Sequence, residues 1–389
     1  MDKVKRCPRG TRRNKKTGTC EIHHKQTRKV KKQIKKKTPK KDIDKNEIYV
    51  LDLAKLGRKR CPTGMQRIKG TTLCRVKKEN QKSQTIKDTP TYKDSLEDLM
   101  MSYNKNKLNQ VIPYECFKSS NIMMFLHLIE RNPKTACLYN ILRIGSLESR
   151  KNRLYFKSKT HRKRFTEDIK TQYEQCKKHN KLLCIPLVLH FPEGTHMNMI
   201  ILNPFRNELE RFEPHGSDTL LDGFTSTPLH RDLRSFAYDI DLMLQFVPSH
   251  KLCPIGFKGY QAYDSEEPLE QGISNNIQIR DPGGFCCAWS YFYADLRLKY
   301  PRLPGSEIIQ RSTKIIGEDP RQFRLFIRGQ VQFLSDLFQK SGIKTKYEDY
   351  MKMKRRKRPE HKKQASELDK QWSDYVWSYF GSYVRNNIK

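Results

Sequence analysis

Four apolar runs of strand length follow one another between residues 182 and 247: 182–191 (LLCIPLVLHF), 197–202 (MNMIIL), 208–212 (ELERF) and 240–247 (IDLMLQFV). Each is bounded by Pro, Gly, Asn or Asp, which end strands and begin turns. Such a block requires a sheet, and a sheet requires cover. The cover must come from the segments on either side. Residues 121–131 (NIMMFLHLIER) are densely apolar and predict a buried helix, and 160–180 are charged and helix-compatible. Residues 285, 288, 289, 292, 293 and 296 are apolar at helical spacing, with a stop at Tyr300-Pro301. Ser95-Leu96-Glu97-Asp98-Leu99 can cap and begin another helix, and more are expected at about 305–316, 320–341 and 364–386. Helices, a strand block and helices again predict an α+β domain over 95–342.

Charge separates this domain from its flanks. The chain carries a net +36, and residues 1–90 hold 30 Lys/Arg against 8 Asp/Glu. A second basic segment, 344–363, holds 10 against 3. We therefore expect three parts: a basic, largely extended region over 1–90, the α+β domain, and a basic segment with an amphipathic helix over 343–389. Polycationic flanks bind polyanions by counterion release with little sequence preference, so nucleic acid is an expected partner. The alternative is a solubilising or localising tail.

The first 90 residues also repeat. Arg6-Cys7-Pro8-Arg9-Gly10 is followed by Cys20, and Arg60-Cys61-Pro62-Thr63-Gly64 by Cys74, both in the form R-C-P-x-G-x9-C. Pro and Gly favour a tight turn, so each copy is expected to form a small hairpin. A metal site shared by the four cysteines, a disulfide within each hairpin, and two inert turns all fit this spacing. Residues 25–41 are a Lys-rich run expected to be a disordered linker.

The opening Met1-Asp2-Lys3-Val4-Lys5-Arg6-Cys7 has no apolar core of a secretion signal, and no stretch approaches the about 18 apolar residues of a membrane span. An intracellular, reducing setting is expected, with most of the 11 cysteines as free thiols, ligands or nucleophiles.

Two places carry chemistry. If the runs around 197–202 and 208–212 pair symmetrically about Pro204-Phe205, His196 falls opposite Glu213. Directly paired side chains sit about 5 Å apart at Cβ, close enough for a carboxylate to fix the imidazole tautomer. The alternative is a plain hairpin with polar residues at its open end. The second place is Asp281-Pro282-Gly283-Gly284-Phe285-Cys286-Cys287, where glycines lead into a helix that Cys286 would open. A thiol there feels the helix dipole, and beside a protonated His its pKa falls. Cys287 would point about 100° away around the helix. The alternative is a buried Cys pair packed as small hydrophobes.

This order of His, an acid 17 positions later across a hairpin, and a Gly-associated Cys opening a helix resembles the SUMO-protease/adenovirus-endopeptidase superfamily. Phe212–Gly216 (FEPHG), 259–261 (GYQ) and 284–290 (GFCCAWS) also resemble motifs in proteins of large DNA viruses, as does the Cys repeat. The resemblance implies a papain-like core with a mostly antiparallel central sheet, and a thiol peptidase or ubiquitin-like-protein deconjugase needing no metal or cofactor. Cys286 would be the nucleophile, His196 the base and then acid, and Glu213 its orienter. Gln261 or Gln278 would supply the oxyanion donor. A viral polyprotein or a ubiquitin-like conjugate would be the substrate, in host cytoplasm or virion, with DNA as track and activator. The sequence departs from the family's D-C-G, since Asp281-Pro282-Gly283 sets Pro282 at the nucleophile's place. Alternatives are a His/Glu/Cys acyltransferase, and an inactive protease fold that binds nucleic acid or virion components.

Overall fold

The second cysteine of each repeat, Cys20 and Cys74, lies on a strand of an antiparallel pair. In the first, β1 (Thr11–Arg13) pairs with β2 (Cys20–Ile22). In the second, β4 (Met65–Arg67) pairs with β5 (Leu73–Val76), and β3 (Val50–Asp52) adds to the other edge of β5. The structure is a computed structural model. It describes these strands, two more within 272–279, and residues 95–109, 114, 118–137, 147–191, 194–216, 224–253, 258–266, 284–355 and 358–387. Cys7, Cys61 and the 25–41 linker lie outside the described residues. The strands of 11–76 belong to one compact unit and residues 77–389 to a second.

The second unit is a mixed α+β fold. Its sheet has six strands in the order β11-β10-β9-β8-β6-β7, where β6 is Leu147–Arg150, β7 Arg153–Leu154, β8 Leu183–Phe191, β9 Gly194–Asn203, β10 Glu208–Phe212 and β11 Gln245–Val247. β8, β9 and β10 run antiparallel to their neighbours in this trio, while β6 joins β8 and β11 joins β10 in parallel. Alternation along the strands sends side chains to two separate cores. Met197, Met199, Ile201 and Phe212 enter one; Ile200, Leu202 and Leu209 enter the other.

The first core is filled by α1 (Leu96–Asn104), α2 (Lys118–Arg131), α7 (Cys286–Lys299), α8 (Gly305–Ile316) and α9 (Pro320–Lys340). The second is covered by α3 (Lys159–Lys178) and α4 (Ser226–Ile240). Short helices α5 (Ser249–Leu252) and α6 (Tyr260–Glu266) connect α4 to α7, with a small hairpin of β12 (Gly272–Ser274) and β13 (Ile277–Ile279) between. The 240–247 run is corrected here. Ile240 closes α4, whose buried Leu229, Leu233, Phe236, Ala237 and Ile240 have helical spacing, and only Gln245–Val247 is strand.

Packing does not break at 342. α10 (Tyr347–Arg355) and α11 (Pro359–Asn387) bring Tyr350, Met351, Trp372 and Val376 into the same core as Phe338, each fully buried. Trp372 lies 5.2 Å from the Phe338 ring, and Tyr379 of α11 donates to Glu130 of α2 at 2.7 Å.

Some of the cysteines expected as free thiols are paired instead. Cys137 and Cys176 form a buried disulfide joining α3 to the segment after α2, and Cys287 is also in a disulfide. Among the described residues Cys184, Cys253 and Cys286 stand outside disulfides. No helix among the described residues is long and apolar enough to cross a membrane.

Candidate active site

β9 and β10 meet at a four-residue turn, 204–207, closed by Asn207 at φ 52°. The last paired residues are Phe212 and Met199, so one further step sets Glu213 opposite Asn198 rather than His196. The expected register is therefore off by two on β9, because the turn centres one residue later than Pro204-Phe205. His196 is nonetheless diagonal to Glu213 on the same face, within reach of a long side chain.

The contact is made. His196 Nε2 donates to Glu213 Oε1 at 2.6 Å, and Asn198 Nδ2 donates to Glu213 Oε2 at 2.7 Å. Arg211, wholly buried, holds Asn198 Oδ1 through Nε at 2.7 Å, reaches Glu213 Oε2 at 3.5 Å, and meets His230 of α4 at 3.0 Å. The His215 backbone N–H donates to Glu213 Oε1 at 3.0 Å, and its ring stacks on His196 at 5.3 Å. Glu213 is fully buried, and a buried carboxylate without such partners would take up a proton. Burial pushes its pKa up, but His196 and Arg211 outweigh this and hold it down at about 2.

Cys286 approaches from the other core. α7 starts at Cys286 with Phe285 as an N-cap that offers no side-chain hydrogen bond to the first N–H groups. Phe285 is buried and stacked on Tyr114 at 5.6 Å, which fixes the helix start. Met197 sets α7 against β9. Its carbonyl accepts from Ser290 Oγ at 3.1 Å, and its backbone lies close enough to the Cys286 sulfur to help lower the thiol pKa. Cys286 thereby sits against the strand residue that follows His196. Cys286 is half-buried with its thiol beside the His196 ring, near enough to shift its titration; with Nε2 on Glu213, Nδ1 is the nitrogen left for the thiol. Burial raises the thiol pKa, but the His196 hydrogen bond and charge bring it below the ordinary value. Burial likewise depresses His196, and Glu213 with Cys286 overrides it, raising the imidazole to about 10. Both shifts favour a thiolate–imidazolium pair.

The third motif reaches the same place. Gly259 N donates to His215 O at 2.8 Å and Gln261 N to Pro214 O at 2.9 Å, so GYQ is zipped onto FEPHG. A Cβ on Gly259 would stand 2.3 Å from Pro214 O, so only glycine permits this approach. A Cβ on Gly284 would stand 2.7 Å from Gln261 Nε2, which puts the Gln261 amide against the residue two before Cys286. Gln261 Oε1 is buried without a hydrogen-bond partner. Arg324 of α9 anchors α6 through Asp264, donating to its backbone oxygen at 2.8 Å. Gln278 is on β13, and its side chain, like Pro282, lies outside the described residues.

The fold brings His196, Glu213, Cys286 and Gln261 together and adds Asn198, Arg211, His215 and His230, none of which the sequence motifs mark as site residues. Asn198 and Arg211 had a signal: each is two residues from a site residue on its own strand, hence on the same face. No group of His, Cys, Asp or Glu among the described residues is arranged to hold a metal ion.

No family model and no solved structure matches this chain. It is similar to a putative ankyrin repeat protein of Acanthamoeba polyphaga mimivirus, 29% identical over 167 residues, which is 40% of this chain and 21% of the relative. The match spans about a fifth of that protein's length. Ankyrin arrays stack paired helices at a 33-residue period. The second unit instead builds its cores on both faces of a sheet.

Proposed function

We propose that this chain is a viral thiol-dependent peptidase or ubiquitin-like-protein deconjugase with a papain-like, adenovirus-endopeptidase-like site. One observation carries the reading: the His196 imidazole that bonds Glu213 also lies beside the Cys286 thiol, and that thiol opens a helix. The Cys286 thiolate attacks the carbonyl carbon of a peptide or isopeptide bond. Gln261 Nε2 and the N–H groups at the start of α7 donate to the oxyanion that forms. The imidazolium of His196 passes its proton to the leaving amine, which departs and leaves a thioester on Cys286. His196 then takes a proton from water, whose oxygen attacks the thioester carbon, and returns it to the sulfur. Glu213 stays ionised throughout and holds the ring in place.

The substrate is a protein, and the basic 1–90 and 344–363 segments hold the enzyme on nucleic acid near it. Cys286→Ala tests the reading, since it should abolish hydrolysis of polyprotein-junction peptides and ubiquitin-like fusions while far-UV circular dichroism stays unchanged. Full activity in that variant ends the thiol mechanism at Cys286; Cys287 has no free thiol to replace it.

A further inference from the structure

The β7 edge of the sheet is separated from β9 by β8 and β6, and it carries a cationic surface that the thiol chemistry does not use. Residues 150–164 contain eight Lys or Arg and no Asp or Glu. The fold gathers them on two adjoining pieces, the β6–β7 hairpin and the first turns of α3. Phe156, in the connection, holds these together, 6.1 Å from His161 and 5.7 Å from Phe165 between ring centres. All eight cations are exposed.

Four have carboxylate partners: Arg150 with Glu148 at 3.1 Å, Arg153 with Asp232 at 2.7 Å, Arg162 with Asp239 at 3.7 Å and Lys163 with Glu167 at 4.0 Å. Lys151, Lys157, Lys159 and Arg164 have none among the described residues. Lys151 stands at the hairpin tip at φ 49°, followed by Asn152 at φ 61°. Glycine and asparagine suit that left-handed turn better than lysine does, so the chain accepts backbone strain to present a cation there.

Aromatic surface lies among these charges. Tyr155 is 37% exposed, and the Arg150 guanidinium sits 4.0 Å from its ring centre. Arg150, Tyr155, Phe156, Lys157 and His161 line one concavity at the seam of hairpin and helix, together with Glu148, whose carboxylate is paired with Arg150.

We propose that this surface binds single-stranded nucleic acid. The four uncompensated cations take phosphates, and a base stacks on the Tyr155–Arg150 platform. An acidic peptide supplies the charge but no flat ring for the platform. A lipid surface calls for an apolar wedge at the tip, where the chain has Lys151 and Asn152. A duplex keeps its bases stacked inside. The site is independent of the thiol reading and distinct from the basic segments at 1–90 and 344–363.

The test uses the full chain, a labelled single-stranded 20-mer and an abasic strand of equal length, with fluorescence anisotropy across a salt series. Replacing Lys151, Lys157, Lys159 and Arg164 by Gln should make the slope of log K against log salt shallower by about 3, from about 0.7 per phosphate on a single strand. Tyr155→Leu should weaken the 20-mer about tenfold and leave the abasic strand unchanged, and Tyr155→Phe should restore binding. An unchanged slope in the four-Gln protein would overturn the site, because the other basic segments would then carry all the affinity. Equal loss on both strands in Tyr155→Leu, or a matching drop in binding to polyglutamate or anionic vesicles, would overturn the nucleic-acid assignment.

Discussion

Asn198 Nδ2 donates to Glu213 Oε2 at 2.7 Å from the strand face that carries His196, so the two oxygens of one carboxylate are held by neighbours two residues apart. Arg211 fixes Asn198 in turn. Glu213 therefore has one low-energy orientation, aimed at the imidazole. Asn198→Leu removes a hydrogen bond to a charged group, worth about 1.5–3 kcal/mol. We predict a fall in kcat of about 10- to 100-fold with little change in KM, and Asn198→Gln should recover part of it. A change confined to KM would show that Asn198 serves binding instead.

The pair sets the pH profile. Cys286 ionises below the ordinary thiol value and His196 stays protonated up to about 10. The thiolate–imidazolium form fills the interval, so kcat/KM should rise through a limb below pH 9, hold a plateau, and fall near pH 10. Glu213→Gln should pull the descending limb to lower pH.

The same groups fix the pH of greatest stability. Glu213 has a folded pKa of about 2 against an ordinary 4.5, so its contribution is full above about 4.5 and is lost as pH falls towards 2. His196 is raised from 6.5 to about 10, so its contribution is full below about 6.5 and is lost as pH rises through 10. Urea midpoints should peak between about pH 4.5 and 6.5, and the acid arm should flatten in Glu213→Gln.

Much of this site was legible because its parts obey local rules. The apolar runs predict β8, β9 and β10, and glycines before an apolar helical repeat predict α7 with Cys286 at its start. Register was not legible, since the 204–207 turn has four residues with Asn207 in the left-handed region, and one residue of shift moves Asn198 opposite Glu213. The strand period places Arg211 on the face of Glu213, but not its burial or its partner; α4 covers that face and sets His230 beside it. The Cys137–Cys176 disulfide joins residues 39 apart, and spacing alone does not select such a pair.

Gln261 approaches Gly284 without any charge of its own, and its buried oxygen lacks a partner. As an oxyanion donor it should matter only in the transition state. Gln261→Leu should lower kcat by about 10²–10³-fold at constant KM. Equal activity would leave the α7 N–H groups as the sole donors or shift the role to Gln278.

The C-terminal helix is held by Trp372, which is fully buried against Phe338 and stacks with Tyr375 at 5.7 Å. Trp372→Ala should cost about 3–5 kcal/mol in urea unfolding. A loss below about 1 kcal/mol would show that α11 folds independently of the core.

The account rests on Cys286 being a thiolate paired with His196, and thiol labelling measures that directly. Iodoacetamide should alkylate Cys286 well ahead of the buried Cys184 and Cys253, as mapped by peptide mass spectrometry. The midpoint of its rate against pH should lie clearly below 9, and His196→Ala should return it towards the ordinary thiol value. A Cys286 that labels no faster than Cys184, or one whose midpoint ignores His196→Ala, would contradict the thiolate–imidazolium site.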